Sequence, residues 1–226
     1  MDTAPAITSP GQRIAAYRLI AELLVYPEQR DRDAIEAQRR ELDHAPAPLR
    51  EPLDDFLAAP RAEDPDEYLH LLELAPPCPL YLGAYLFDEP STCRGVALSG
   101  RNTYMLELAG IYGHFGFQIQ GELADFVPAV AEFLALSLAH RELDGIGLRR
   151  RLLEHYVRPG LAPMRAALEK YETPYALVIR ALEATIDDDI AASADEPIWT
   201  PPQRAAPVHE VRIAMPGPLA HRHAGG

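Results

Sequence analysis

Residues 101–140 read RNTYMLELAGIYGHFGFQIQGELADFVPAVAEFLALSLAH. Met105, Leu108, Tyr112 and Phe115 recur at steps of three, four and three residues, the period of a helix that buries one face. Gly113, Gly116 and Gly121 interrupt the pattern, and Val127, Val130, Leu134 and Leu138 resume it. The stretch therefore predicts two helices joined by a glycine-rich turn. Pro128 suits the first turn of the second helix, where its missing N–H has no intrahelical acceptor to lose. Asp125 stands where an N-cap belongs. Gln120 to Ala124 then reads as a loop, with Glu122 and Asp125 at the mouth of a helix N-terminus.

Outward from this hairpin the same periodicity repeats. Ile14, Tyr17, Ala21 and Leu24 form one stripe of a helix over Gln12 to Tyr26, with Arg13, Arg18 and Glu22 off it and Pro27 ending it. Arg30 to His44 is charged, with Ile35 and Leu42 its main apolar residues, so it predicts a helix lying lightly on the surface. Ala45-Pro46-Ala47-Pro48 reads as a linker, and Leu49 to Ala58 as a short helix stopped by Pro60. Asp64-Pro65-Asp66-Glu67 looks like a helix start, with acids facing the positive end of the dipole; Tyr68, Leu71, Leu72 and Ala75 supply its apolar face. Pro76-Pro77-Cys78-Pro79 forces a rigid connector, and residues 88–99 read as a loop. Past His140, Leu148, Leu152, Leu153 and Tyr156 mark another helix. Within it Arg149-Arg150-Arg151 reads as a solvated face, and Pro159-Gly160 as a break. Two helices follow, over Leu161 to Tyr171 and Pro174 to Ile190.

These segments and their short connections predict a single all-α globular domain of seven to nine helices, with no strand alternation. The expected division is a flexible N-terminus over 1–11, a helical domain over 12–190, and a Pro-rich, disordered tail over 191–226. Trp199, the only tryptophan, lies in that tail and is free to dock on the helical body.

Hydrophobic residues make up 48% of the 226 and charged residues 24%, the balance of a globular chain. No apolar run approaches the roughly 20 residues that span a bilayer. The first residues carry neither a basic leader nor an apolar signal core, so the expectation is a cytoplasmic protein with no membrane insertion. A formal net charge of -13 disfavours nucleic acid and favours basic partners. The two cysteines, Cys78 and Cys93, fit no zinc pattern and read as reduced thiols.

The chain shows no phosphate loop, no HExxH and no CxxC, so no catalytic residue is expected. Asp125 and Glu132, on a shared helix, would lie roughly 10 Å apart along its axis at about 1.5 Å per residue. That is too far for one metal ion, and no metal site is predicted. The spacing suits contact with a basic ligand lying along the helix. The plainer alternative is that Asp125 caps and Glu132 is solvated. His114 merits attention only as a neighbour of the glycine turn.

Glu122-Leu123-Ala124-Asp125-Phe126-Val127-Pro128, followed by Glu132-Phe133-Leu134, resembles the E-L-P-D-H-L-P…L-E-F-L segment of the TorD/DmsD/NarJ family of redox-enzyme maturation chaperones. Pro79-Leu80-Tyr81, Phe87-Asp88, Tyr104 and Tyr112-Gly113 fall in the order that family shows. Ala124 replaces its usual proline and Phe126 its usual histidine, so nothing that depends on that histidine carries over. The resemblance implies an all-helical chaperone, not an enzyme, that binds no cofactor tightly. Its partner would be the apo catalytic subunit of a molybdopterin oxidoreductase, held until bis(molybdopterin guanine dinucleotide) is inserted, together with that subunit's twin-arginine signal peptide. Two cations followed by an apolar stretch need carboxylates beside an apolar groove. Glu122, Asp125 and Glu132, with Tyr112, Phe115, Phe126, Phe133 and His114, are the expected binding residues. Two other readings stand beside this one. One is a helical small-molecule or nucleotide-binding enzyme built around Cys78, Tyr81, Tyr85, Cys93 and Arg101; the other is an acidic adaptor that uses the Pro-rich tail.

Overall fold

The computed structural model describes residues 8–88 and 100–200. Among these the chain forms nine helical runs and no sheet; one antiparallel bridge joins Tyr81 to Phe126. The runs are α1 (Pro10–Leu23), α2 (Arg32–Glu41), α3 (Ala47–Ala58), α4 (Pro65–Tyr68, continued by a π turn over Leu69–Glu73) and α5 (Gly83–Leu86). They continue as α6 (Gly100–His114), α7 (Val127–Ala139), α8 (Leu148–Arg151, a π segment over Leu152–Val157, then Arg158–Lys170) and α9 (Tyr175–Ala192). The all-α expectation is met.

The first helix is the axis of the fold. Ser9 caps it by accepting from Gln12 N–H while the Gln12 side chain accepts from Ser9 N–H, a reciprocal box, and Pro10 occupies the first turn. α1 packs against α2, α7 and α9, and Ala15, Ala16, Leu19, Ile20 and Leu23 are buried together with Tyr17. That is wider than the single stripe read from the sequence. A helix apolar on most of its circumference belongs in the middle of a core.

Arg149 overturns its reading as part of a solvated face, and Arg13, off the apolar stripe, is buried as well. Arg149 makes two hydrogen bonds to Asp189, at 3.0 and 2.5 Å, and one to Ser137 Oγ at 3.1 Å; Tyr17 donates to the same carboxylate at 2.8 Å. Arg13 adds a contact of 3.3 Å to Asp188. The buried cluster ties α1, α7, α8 and α9 together. Burial works against the Arg149 charge, but Asp189 and Tyr17 more than offset it and the guanidinium sits above its ordinary value. Periodicity cannot separate a buried arginine with a carboxylate partner from a solvated one, because the partner lies forty residues away.

Other expectations shift in detail. α2 lies on the surface as read, with none of its residues buried. Ala47 and Pro48 open α3 and are not linker. Ala75 does not extend the apolar face of α4; it is exposed at φ 49°, past the helix end. Pro159-Gly160 does not break α8, because the π segment before it re-registers the hydrogen bonds around the missing proline N–H.

The domain boundary at 190 moves as well. α9 runs to Ala192, and the strap over 193–200 lies on the body. Arg150 donates to the carbonyls of Ser193, Ala194 and Glu196 at 3.2, 2.8 and 2.6 Å. Trp199 N–H donates to Gly147 O at 3.2 Å, and the Arg151 guanidinium lies between the Tyr156 and Trp199 rings, 5.6 and 5.4 Å from their centroids. The tail expected beyond, the loop over 88–99 with Cys93, and most of the N-terminal segment fall largely or wholly outside the described residues. Among the described residues no helix is long and apolar enough to cross a membrane.

Candidate functional site

A groove of about 460 Å³ opens between α1, the turn after α6, and the first half of α7. Arg18, Ala21 and Glu22 come from α1 and Val25 from just past its end; Phe117 to Gln120, with Glu122, from the turn; Phe126, Pro128, Ala129, Glu132, Phe133 and Leu136 from the start of α7. Its floor rests on an aromatic stack. The Tyr112 and Phe133 rings lie 4.5 Å apart between centroids, with Phe115 and Phe117 at 5.4 and 5.8 Å from Phe133. Tyr112 donates its hydroxyl to Ala124 O at 2.7 Å, tying the turn to the helix it leaves. Burial raises the Tyr112 phenol well above its ordinary range, so it donates at any working pH.

Tyr112 from α6, Glu122 from the turn, Phe126 at the α7 N-cap, and Glu132 and Phe133 from α7 thus come together around one groove. Glu122 and Glu132 are exposed. Glu122 accepts from Tyr81 Oη at 2.8 Å, and burial followed by that bond pushes the Tyr81 phenol up to about 12. The Tyr81 ring lies 5.2 Å from Phe126, so the side chain standing at the family's histidine position is held by an aromatic contact.

Three expected residues are placed elsewhere. Phe115 is buried beneath the floor and does not line the groove. His114 faces a different cavity, about 380 Å³, with Ile111, Leu148, Tyr156 and Trp199. Asp125 is 0% exposed and does not cap α7, whose N-cap is Phe126 without a side-chain bond. The cause lies in the backbone. Leu82 N–H donates to Asp125 O at 3.0 Å and Val127 N–H to Leu80 O at 2.9 Å, so residues 80–82 themselves cover the α7 terminus. This pairing turns the Asp125 carboxylate inward. Its Oδ2 accepts from Gly83 N–H, at the start of α5, at 2.9 Å and lies 3.6 Å from Arg101. A Cβ on Gly83 would sit 2.6 Å from that oxygen, so only glycine admits the carboxylate here. Asp125 is a joint between α5, α6 and the turn, and the seven-residue Asp125–Glu132 pairing along one helix face does not exist.

Sequence reasoning missed Arg18 and Glu22, which lie off the apolar stripe of α1, and the stretch Phe117-Gln118-Ile119-Gln120. A signal for the latter was present in its apolar-polar alternation. Of the residues offered for an enzyme, Cys78 is a fully buried free thiol and Tyr81 serves the groove. Arg101 faces Asp125, and Cys93 lies outside the described residues. No protein-family model matches the chain, and no curated protein matches it significantly.

Proposed function

We propose that this protein is a cytoplasmic maturation chaperone of the TorD/DmsD/NarJ kind. It binds the apo catalytic subunit of a molybdopterin oxidoreductase, and that subunit's twin-arginine signal peptide, before bis(molybdopterin guanine dinucleotide) is inserted. It acts by binding and catalyses no reaction itself. The observation that carries the reading is the groove, where the Glu122–Phe133 segment bearing the family resemblance supplies two exposed carboxylates beside an aromatic floor. A third carboxylate, Glu22, stands on the α1 wall against a single cation, Arg18. An arginine-rich peptide followed by apolar residues matches this lining. Guanidinium forks pair with carboxylates, and the apolar segment covers Phe126, Phe133 and Leu136.

Affinity purification of the tagged chain from its native cytosol, followed by mass spectrometry, tests the proposal. The expected result is co-purification of a large molybdopterin-type subunit in its cofactor-free form. Recovery of that subunit only in its loaded form, or of none, would contradict it.

A further inference from the structure

Gly116 and Gly121, at φ 77° and 82°, bracket four residues that belong to no helix, Phe117 to Gln120. Phe117 and Ile119 pack against the core while Gln118 and Gln120 are exposed, the two-residue period of a strand edge. Phe117 N–H donates back to Tyr112 O at 2.9 Å. Beyond it, among the described residues, no hydrogen bond engages the backbone N–H or C=O of Gln118, Ile119 or Gln120. All four residues line the groove. A row of unpaired main-chain donors and acceptors is a ready template for another chain.

Resting on the reading of the groove as a peptide site, we propose that its ligand binds as an extended strand added to the 117–120 edge. The ligand's backbone pairs with Gln118 to Gln120, and its cations reach Glu122, Glu132 and Glu22. The charge of the lining, three carboxylates against Arg18, selects a basic peptide over an acidic one. The open edge selects an extended peptide over a helical one, because a helix satisfies its backbone internally and would leave these groups unpaired. At about 3.3 Å per residue the edge engages a ligand segment of about 13 Å, or roughly four residues. Side chains of one parity then face the groove floor and those of the other face solvent.

The test uses a synthetic peptide of two adjacent arginines followed by a Val- and Leu-rich segment, titrated into the full chain. It is repeated with backbone N-methyl groups at odd or at even positions of that segment. Methylation on the paired parity should weaken binding by about tenfold or more and leave the other parity nearly unchanged, since only alternate N–H groups of an added strand face the edge. The Gln118→Pro variant, which removes one N–H and leaves every groove carboxylate in place, should lose affinity for the parent peptide with its helical circular dichroism retained. Equal tolerance of both parities, or isotope-edited infrared spectra showing a helical bound peptide, would overturn the strand mode while leaving the groove reading intact. Failure of the unmethylated peptide to bind at all would overturn the groove reading and this inference with it.

Discussion

Replacing Asp125 by alanine removes the carboxylate facing Arg101 and leaves the buried Gly83 N–H without its acceptor. The expected cost is about 1–3 kcal/mol in denaturant unfolding. Asp125→Asn keeps an acceptor for Gly83 and should recover part of that loss. Glu132→Gln, at an exposed position, should leave stability within about 0.5 kcal/mol. An unchanged midpoint for Asp125→Ala would mean that the joint carries no stability. Asp189 is the more severe case, because its removal strands Arg149, buried beside it, and leaves the Tyr17 hydroxyl without its acceptor. Asp189→Ala should cost about 3–5 kcal/mol, read in the same experiment. Neither carboxylate announces its role in the sequence. Asp125 precedes a Pro-marked helix and so resembles a cap, whereas the partners that decide its direction, Gly83 and Arg101, lie across the chain.

Among the elements, the strap over 193–200 depends on one backbone position. Gly147 stands at φ 74°, and a Cβ there would meet Pro197 O at 1.9 Å. Gly147→Ala should therefore lift the strap, costing about 1–2 kcal/mol for the left-handed conformation alone. Release of Trp199 from the Arg151 guanidinium would red-shift its fluorescence, and since it is the chain's only tryptophan the signal is unambiguous. Retention of a blue-shifted emission would show that Gly147 does not control docking. The helices themselves were legible because apolar spacing and proline punctuation are local. α1, α3, α6, α7 and α9 begin and end within a few residues of where their stripes do. The strap was legible only at Trp199, read as able to dock; the rest takes its order from Arg150 reaching three carbonyls from another element, while its own composition reads as tail.

Over the whole molecule, the core holds tyrosines whose hydroxyls are committed to internal partners. Tyr17, Tyr68 and Tyr104 donate to Asp189, Leu24 O and Tyr156 O, and burial raises each above the ordinary value of 10.0. A pKa raised by folding contributes stability that is complete below the unfolded value and lost as pH rises past it. The protein should thus lose stability above about pH 10, with these phenols ionising only as the helices melt. Tyrosinate absorbance followed together with circular dichroism checks this, and ionisation of every tyrosine ahead of unfolding would refute it. The fold class was readable from the helix period, whereas the grouping of Tyr112, Glu122, Phe126, Glu132 and Phe133 around one groove was expected only through the family resemblance, since Glu122 and Phe126 lie in no helix. The α1 wall was not readable, since Arg18 and Glu22 acquire meaning only once α7 packs against that helix.

The central claim, that this groove captures a basic and apolar peptide, is tested most directly by calorimetric titration of such a peptide into the native chain and into the Glu122→Gln, Glu132→Gln double variant. The account predicts saturable binding that weakens with salt and falls by about tenfold or more in the variant, whose melting temperature stays unchanged. Equal affinity for both proteins, or no binding to either, would contradict it.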